Sequence, residues 1–158
     1  MPLIVKAEEM GYETHVFAWA DDAVGADAAH RFYPLSVTEH AAILEVCLTI
    51  EPVAVCTIGS DLAQLTASYL CDHLGLPGNP LAVTQQATNK YQARLALRNA
   101  GIACPQFVRV ERGETPDLSG FAFPLIVKPT DRSGSRAITK LATDLGLEAA
   151  IGSAQQSS

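Results

Sequence analysis

The sequence has no long apolar run, no paired cysteine motif, no dinucleotide fingerprint and little charge for its length. No stretch of the 158 residues approaches the roughly 20 apolar residues that cross a bilayer as a helix. The amino terminus, Met1-Pro-Leu-Ile-Val-Lys-Ala-Glu-Glu-Met10, puts acidic residues where a secretory signal would continue its apolar segment, so such a signal is not expected. The four cysteines, Cys47, Cys56, Cys71 and Cys104, form no CxxC pair and have no histidine beside them at zinc-ligand spacing, which argues against a metal site or a disulfide framework. Three lie in apolar helical or strand patterns and read as small buried hydrophobes in a reducing, cytoplasmic setting. No GxGxxG follows a first strand, so a dinucleotide-binding domain is the weakest of the functional readings. Charged residues make up 18% of the chain and the net charge is -6, with lysines and arginines scattered. That pattern argues against nucleic acid as the main partner, although a small anionic ligand needs only a local basic cluster.

What is present suffices for a core: 48% of the residues are hydrophobic. Leu3, Ala7 and Met10 stand at helical spacing before Gly11, and Thr14 to Trp19 reads as a strand closed by a turn at Asp21-Asp22. Tyr33 to Val37 predicts a short strand. Ser36 and Glu39 make a capping-box pattern for a helix carrying Ala42, Ile43, Val46, Cys47 and Ile50. Val53-Ala-Val-Cys-Thr-Ile58 is a continuous apolar run, as in a parallel strand covered on both faces. Gly59-Ser60-Asp61 then opens a helix with Leu62, Leu65, Tyr69 and Leu70 on one stripe, stopping at Gly75. Helices and strands alternating with short connections predict a parallel α/β unit. Ligands of such sheets sit beyond the carboxyl ends of the strands, so Ser60 and Asp61 are weak candidates for substrate contact; a plain helix cap is the simpler reading. Leu76-Pro-Gly-Asn-Pro80 is a turn-rich break that sets a boundary between residues 1–80 and 81–158. Beyond it come a helical turn at Ala82 to Gln86 and a helix opened by Asn89-Lys90-Tyr91-Gln92 and ending at Asn99-Ala-Gly101. An extended run, Gln106 to Val110, follows. A last helix is capped by Thr143 and runs to about Ile151, before a frayed tail.

Phe123-Pro-Leu-Ile-Val-Lys128 ends an apolar strand on a lysine, and Asp131-Arg-Ser-Gly-Ser-Arg136 follows before a second extended run, Ala137 to Leu141. An ammonium costs free energy to desolvate without an anionic partner. Lysine beside a small polar loop with N–H, hydroxyl and guanidinium donors reads as a phosphate grip. A hairpin whose lysine snorkels to water is the competing reading. Lys90 falls in the first turn of its helix, where the macrodipole disfavours a cation. An anionic ligand would offset that, and so would simple exposure.

In order and spacing these segments resemble the ATP-grasp ligases, over nearly the whole chain. Thr88-Asn-Lys-Tyr-Gln-Ala-Arg94 is similar to the opening of the family's linker helix, and Ala100-Gly-Ile-Ala-Cys-Pro105 to the turn after it. Phe123-Pro-Leu-Ile-Val-Lys-Pro129 resembles the strand bearing the second nucleotide lysine, and Ser133-Gly-Ser-Arg-Ala137 the flexible loop over the phosphates. Met10-Gly-Tyr-Glu-Thr14, Ile58-Gly-Ser-Asp-Leu62 and Leu74-Gly-Leu-Pro-Gly-Asn79 are similar to the preATP-grasp domain of carbamoyl-phosphate-synthase-like members. The resemblance implies a Rossmann-like preATP-grasp domain (1–80, without its first strand) followed by the α+β small subdomain, the lid, of an ATP-grasp fold (81–158).

It further implies ATP and magnesium as cofactors, and Lys90 and Lys128 as contacts to the α- and β-phosphates. Ser133, Gly134 and Ser135 would donate to the β- and γ-phosphates, with Arg136 a further candidate. The implied reaction joins a small carboxylic acid to an amine, or to a thiol, through an acyl phosphate. The chain departs from the pattern at its beginning, at Ala137 where a glycine is usual, and at its end, where the subdomain carrying the magnesium ligands would follow. It is therefore expected to be a fragment that is inactive alone, and its catalytic residues stay unassigned. The alternative is a non-catalytic α/β binding or oligomerisation module, for instance a homodimer.

Overall fold

Prolines and left-handed glycines punctuate the chain. In the computed structural model, which describes residues 1–158, they separate six helices and four short strands. The chain divides into two units, Met1–Thr84 and Gln85–Ser158.

In the first unit, α1 (Pro2–Glu9) opens on a proline, whose fixed φ and missing N–H suit a first helical turn. Gly11, at φ +82°, reverses the chain into β1 (His15–Phe17). This strand pairs in parallel with β2 (Arg31–Tyr33), with Val16 opposite Phe32. The second strand lies earlier than Tyr33 to Val37, where the sequence pattern puts it. Pro34 has no N–H to give a ladder, and the Leu35 N–H turns back to the Tyr33 carbonyl at 2.8 Å. The helix α2 (His40–Ile50) likewise begins late. The Glu39 carboxylate does accept the Ser36 N–H, at 2.6 Å, but the box closes on a turn ahead of the helix rather than on its first turn.

The helix α3 (Asp61–Leu74) follows its sequence signals closely. Ser60 Oγ accepts the Ala63 N–H at 3.2 Å, and Gly75 at φ +66° ends it. It packs on α2 through Ile43, Cys47 and Leu70, with Phe17, Leu35, Val55 and Tyr69 around them. A buried Ser68–Thr84 hydroxyl pair at 2.7 Å ties α3 to α4 (Leu81–Thr88).

The run Val53–Ile58 is the main correction here. It forms no ladder, and the sheet of this unit has two strands rather than an extended parallel array. Val55 packs inward, but Val53 and Ile58 are each 71% exposed, because an extended apolar run without a paired neighbour has nothing to cover its second face. Cys56 is exposed with them, against the expectation of burial, whereas Cys47 and Cys71 are buried as expected.

The second unit is a helix, a two-stranded antiparallel sheet and a helix. Helix α5 (Lys90–Asn99) is capped by Asn89, whose side chain accepts the N–H groups of Tyr91 and Gln92 at 3.1 Å each. Gln106 to Val110 is extended but joins no sheet. Strand β3 (Leu125–Val127) pairs with β4 (Thr139–Leu141), Ile126 facing Lys140. Helix α6 (Leu147–Ser157) starts after Gly146, not at Thr143, whose hydroxyl instead holds a turn by accepting the Leu145 N–H. The residues expected to fray are helical. Ala154 is buried, and Arg112 Nη2 donates to the Gln155 carbonyl at 3.1 Å. Arg132 Nε donates to the Ser157 carbonyl. Two guanidinium groups on otherwise open C-terminal carbonyls complement the negative end of the helix.

Candidate functional site

The site of interest is in the second unit and grows from the join between β3 and α5. The chain leaves β3 at Lys128 and passes buried Pro129, and the Thr130 carbonyl accepts the backbone N–H of Lys90 at 2.7 Å. Lys90 Nζ donates to a loop carbonyl two residues further on, that of Arg132. The loop after β3 is thus fastened to the first turn of α5 by both the main chain and the side chain of one residue. Asn89 and Thr130 occupy the first N–H groups of α5, so an anion here would have to be held by side chains rather than by a bare helix end.

Those side chains converge. Lys90, Arg94 and Lys128 all line one cavity of about 690 Å³, walled by Tyr91, Phe107 and Leu125 among others. Lys90 and Arg94 lie four residues apart and so share a face of α5. Partial burial, reinforced by the neighbouring Arg94 and then Lys90 charges, holds the Lys128 ammonium below the usual lysine value. Glu111, which also lines the cavity, is bound to Arg109 at 2.8 Å. The three cations have no ion-pair partner. Aromatic contacts stiffen the wall: Tyr91 meets Phe107 edge-on at 5.8 Å, Arg98 lies 5.0 Å from the Phe107 ring centre, and Arg109 lies 5.5 Å from that of Tyr91.

The loop Asp131–Arg136 is exposed, and its far end is left-handed at Gly134 (φ +70°) and Ser135 (+57°), as is Ala137 (+51°) just beyond it. The structure therefore brings Lys90 and Lys128 together on one cavity. Ser133, Gly134, Ser135 and Arg136 lie on the attached loop and outside that cavity's lining. Ser60 and Asp61 belong to the first unit, where Ser60 serves as a helix cap. Arg94 is the residue that motif reading passed over. Its signal was the four-residue spacing from Lys90. No group of three or more His, Cys, Asp or Glu side chains comes together as a metal site, and no helix is long and apolar enough to cross a membrane.

No protein-family profile matches the chain. In sequence it is 33% identical over 84 residues to the vancomycin B-type resistance protein VanB of Enterococcus faecalis, over 52% of this chain and 25% of that protein. It is 27% identical over 139 residues to the D-alanine–D-alanine ligase of Hydrogenovibrio crunogenus, over 85% of this chain and 42% of that one. The chain thus spans less than half the length of these curated relatives. Among solved structures it superposes on an L-amino acid ligase from Bacillus licheniformis with a TM-score of 0.76 at 22% identity, covering 96% of this chain and 39% of that one. The biotin carboxylase domain of Hydrogenobacter thermophilus 2-oxoglutarate carboxylase, solved with MgADP, ADP and bicarbonate, gives 0.72 at 18% identity, covering 98% and 38%. These structural likenesses are of fold, and of a mixed α/β fold in each case.

Proposed function

We propose, from the premise that the homologues of this chain are ATP-grasp ligases, that its second unit grips the phosphates of ATP for a carboxylate–amine ligation. In this reading residues 1–80 are the preATP-grasp portion and 81–158 the small subdomain. Lys90 and Lys128 hold the α- and β-phosphates. The loop at Ser133, Gly134 and Ser135, with Arg136 beside it, folds over the β- and γ-phosphates. The observation that carries the proposal is the convergence of Lys90 and Lys128 with a further cation on one cavity without carboxylate partners. Structural lysines are ordinarily solvated or paired, and like charges gathered in a partly desolvated hollow favour a polyanion.

The reaction that follows transfers the γ-phosphoryl group to a carboxylate oxygen, releasing ADP. An amine, or a thiol, then attacks the acyl carbon and inorganic phosphate leaves. The protein's part in the first step is to position the phosphates and neutralise charge developing on them. The residues present do not fit a resident magnesium ion, since Glu111 is committed to Arg109 and no acidic cluster lines the cavity. We therefore assign these residues a nucleotide grip, and turnover to the whole ligase. The acid and the nucleophile stay unassigned. Relatedness to ligases does not favour the non-catalytic module as an alternative.

The test is calorimetric titration of the 158-residue chain with ATP. Weak binding, with a dissociation constant on the order of a millimolar, is expected, and its loss in Lys128→Ala. Wild-type chain that takes up no ATP at tens of millimolar, or a Lys128→Ala variant that binds as well, would sink the proposal.

A further inference from the structure

We infer that Arg94 is a third anion-binding side chain of this cavity, and that the cluster Lys90–Arg94–Lys128 selects ligands by the length of their phosphate chain. The inference rests on the reading of the cavity as a nucleotide site and adds a residue and a selectivity to it. Arg94 stands one helical turn beyond Lys90, half-buried on the face of α5 that borders the cavity. It makes no ion pair and no hydrogen bond to another protein group, unlike Arg109, Arg112 and Arg132, each of which is committed to a carboxylate or a carbonyl. Arg98 is on the same helix but lies over the Phe107 ring and does not line the cavity.

A guanidinium that is half-buried and unpaired, beside two ammonium groups, is unfavourable without an anion. The Lys128 ammonium registers this, since Arg94 is the largest electrostatic contribution to its lowered proton affinity. Lys90, by contrast, has its Nζ on the Arg132 carbonyl, which leaves Arg94 and Lys128 as the cations without a hydrogen-bonded protein partner. A planar fork of N–H donors can take two phosphate oxygens at once, which a point-charge ammonium does less well. Three cations lining one cavity match a chain of phosphates better than a single phosphate. The ligand class is therefore a polyphosphate, and a nucleoside monophosphate should be a poor one.

The probes are inorganic tripolyphosphate, ATP and AMP, each titrated into the full chain by calorimetry with wild type, Arg94→Gln, Arg94→Lys and Lys128→Gln. Loss of one charge-assisted contact should weaken tripolyphosphate and ATP about tenfold in Arg94→Gln, with partial recovery in Arg94→Lys and little change for AMP. The second readout needs no ligand: after reductive methylation, the NMR titration of the Lys128 dimethylamine should move to higher pH in Arg94→Gln. If Lys128→Gln loses tripolyphosphate binding while Arg94→Gln keeps it, Arg94 is not a ligand and the inference fails although the nucleotide reading stands. If wild type binds none of the probes, both fail. If Arg94→Gln weakens all three equally, the selectivity is wrong.

Discussion

Ala137 is a non-glycine residue held at φ +51° in the loop beside the proposed phosphate site. A Cβ in the left-handed region crowds the following carbonyl at a cost of about 1–2 kcal/mol. Replacing it with glycine removes that cost. The substitution also frees the unfolded chain, which returns about 0.4–1 kcal/mol. Ala137→Gly should therefore stabilise the second unit by a net of about 0.5–1 kcal/mol. For a domain of roughly 60–100 residues that corresponds to a rise in melting temperature of about 2–8 °C. The assay is thermal unfolding followed by circular dichroism, with Ala93→Gly as its control. Ala93 is similarly half-buried but lies within α5, where glycine costs about 1 kcal/mol, so that variant should melt lower. If the two substitutions lower the melting temperature alike, the left-handed strain at Ala137 is not real.

The lowered proton affinity of Lys128 sets a second outcome. The folded chain holds this proton less tightly than the unfolded chain, so the stability penalty is present at neutral pH and fades as pH rises toward the ordinary lysine value of about 10.4. Urea titrations of Lys128→Met should show a variant more stable than wild type at pH 7, with the gap closing by about pH 10; a gap that is reversed or independent of pH refutes it. At the far end of the same unit, Arg112→Ala should cost about 0.5–1.5 kcal/mol by exposing the Gln155 carbonyl, and should speed amide exchange in the last turn of α6. Unchanged exchange there would mean that the guanidinium does not hold the helix end.

Where local signals and tertiary environment agree, the sequence was legible. Helix α3 begins at the Ser60 cap and ends at Gly75 because both ends are decided by side-chain and backbone chemistry within a few residues. Asn89 at the head of α5 is another such case. Val53–Ile58 was not legible in the same way, because a strand is defined by its partner and an apolar run cannot announce whether one is present. The end of the chain was misread for a related reason. Gly152, Ser153 and Ser157 have little helical signal of their own, and the end of α6 is held by buried Ala154 and by Arg112 and Arg132, which reach its carbonyls from distant loops. At the site, Lys90 and Lys128 stood out as cations in positions that disfavour them. Arg94 did not, since an arginine inside an amphipathic helix looks like any solvated residue until the cavity beside it is seen.

The bond from Lys90 Nζ to the Arg132 carbonyl changes what an affinity measured at this cavity means. An incoming anion does not meet a waiting ammonium; it must compete with a carbonyl already there, so recognition by Lys90 is an exchange of partners. The dissociation constant read from a titration is then the intrinsic one divided by the fraction of time the loop lets go. The same carbonyl belongs to the residue whose guanidinium secures the end of α6. A ligand that takes Lys90 from the loop would thereby loosen the end of α6, which borders the same cavity at Gln155 and Ser158, and amide exchange at Gln156 and Ser157 would report occupancy of the cavity.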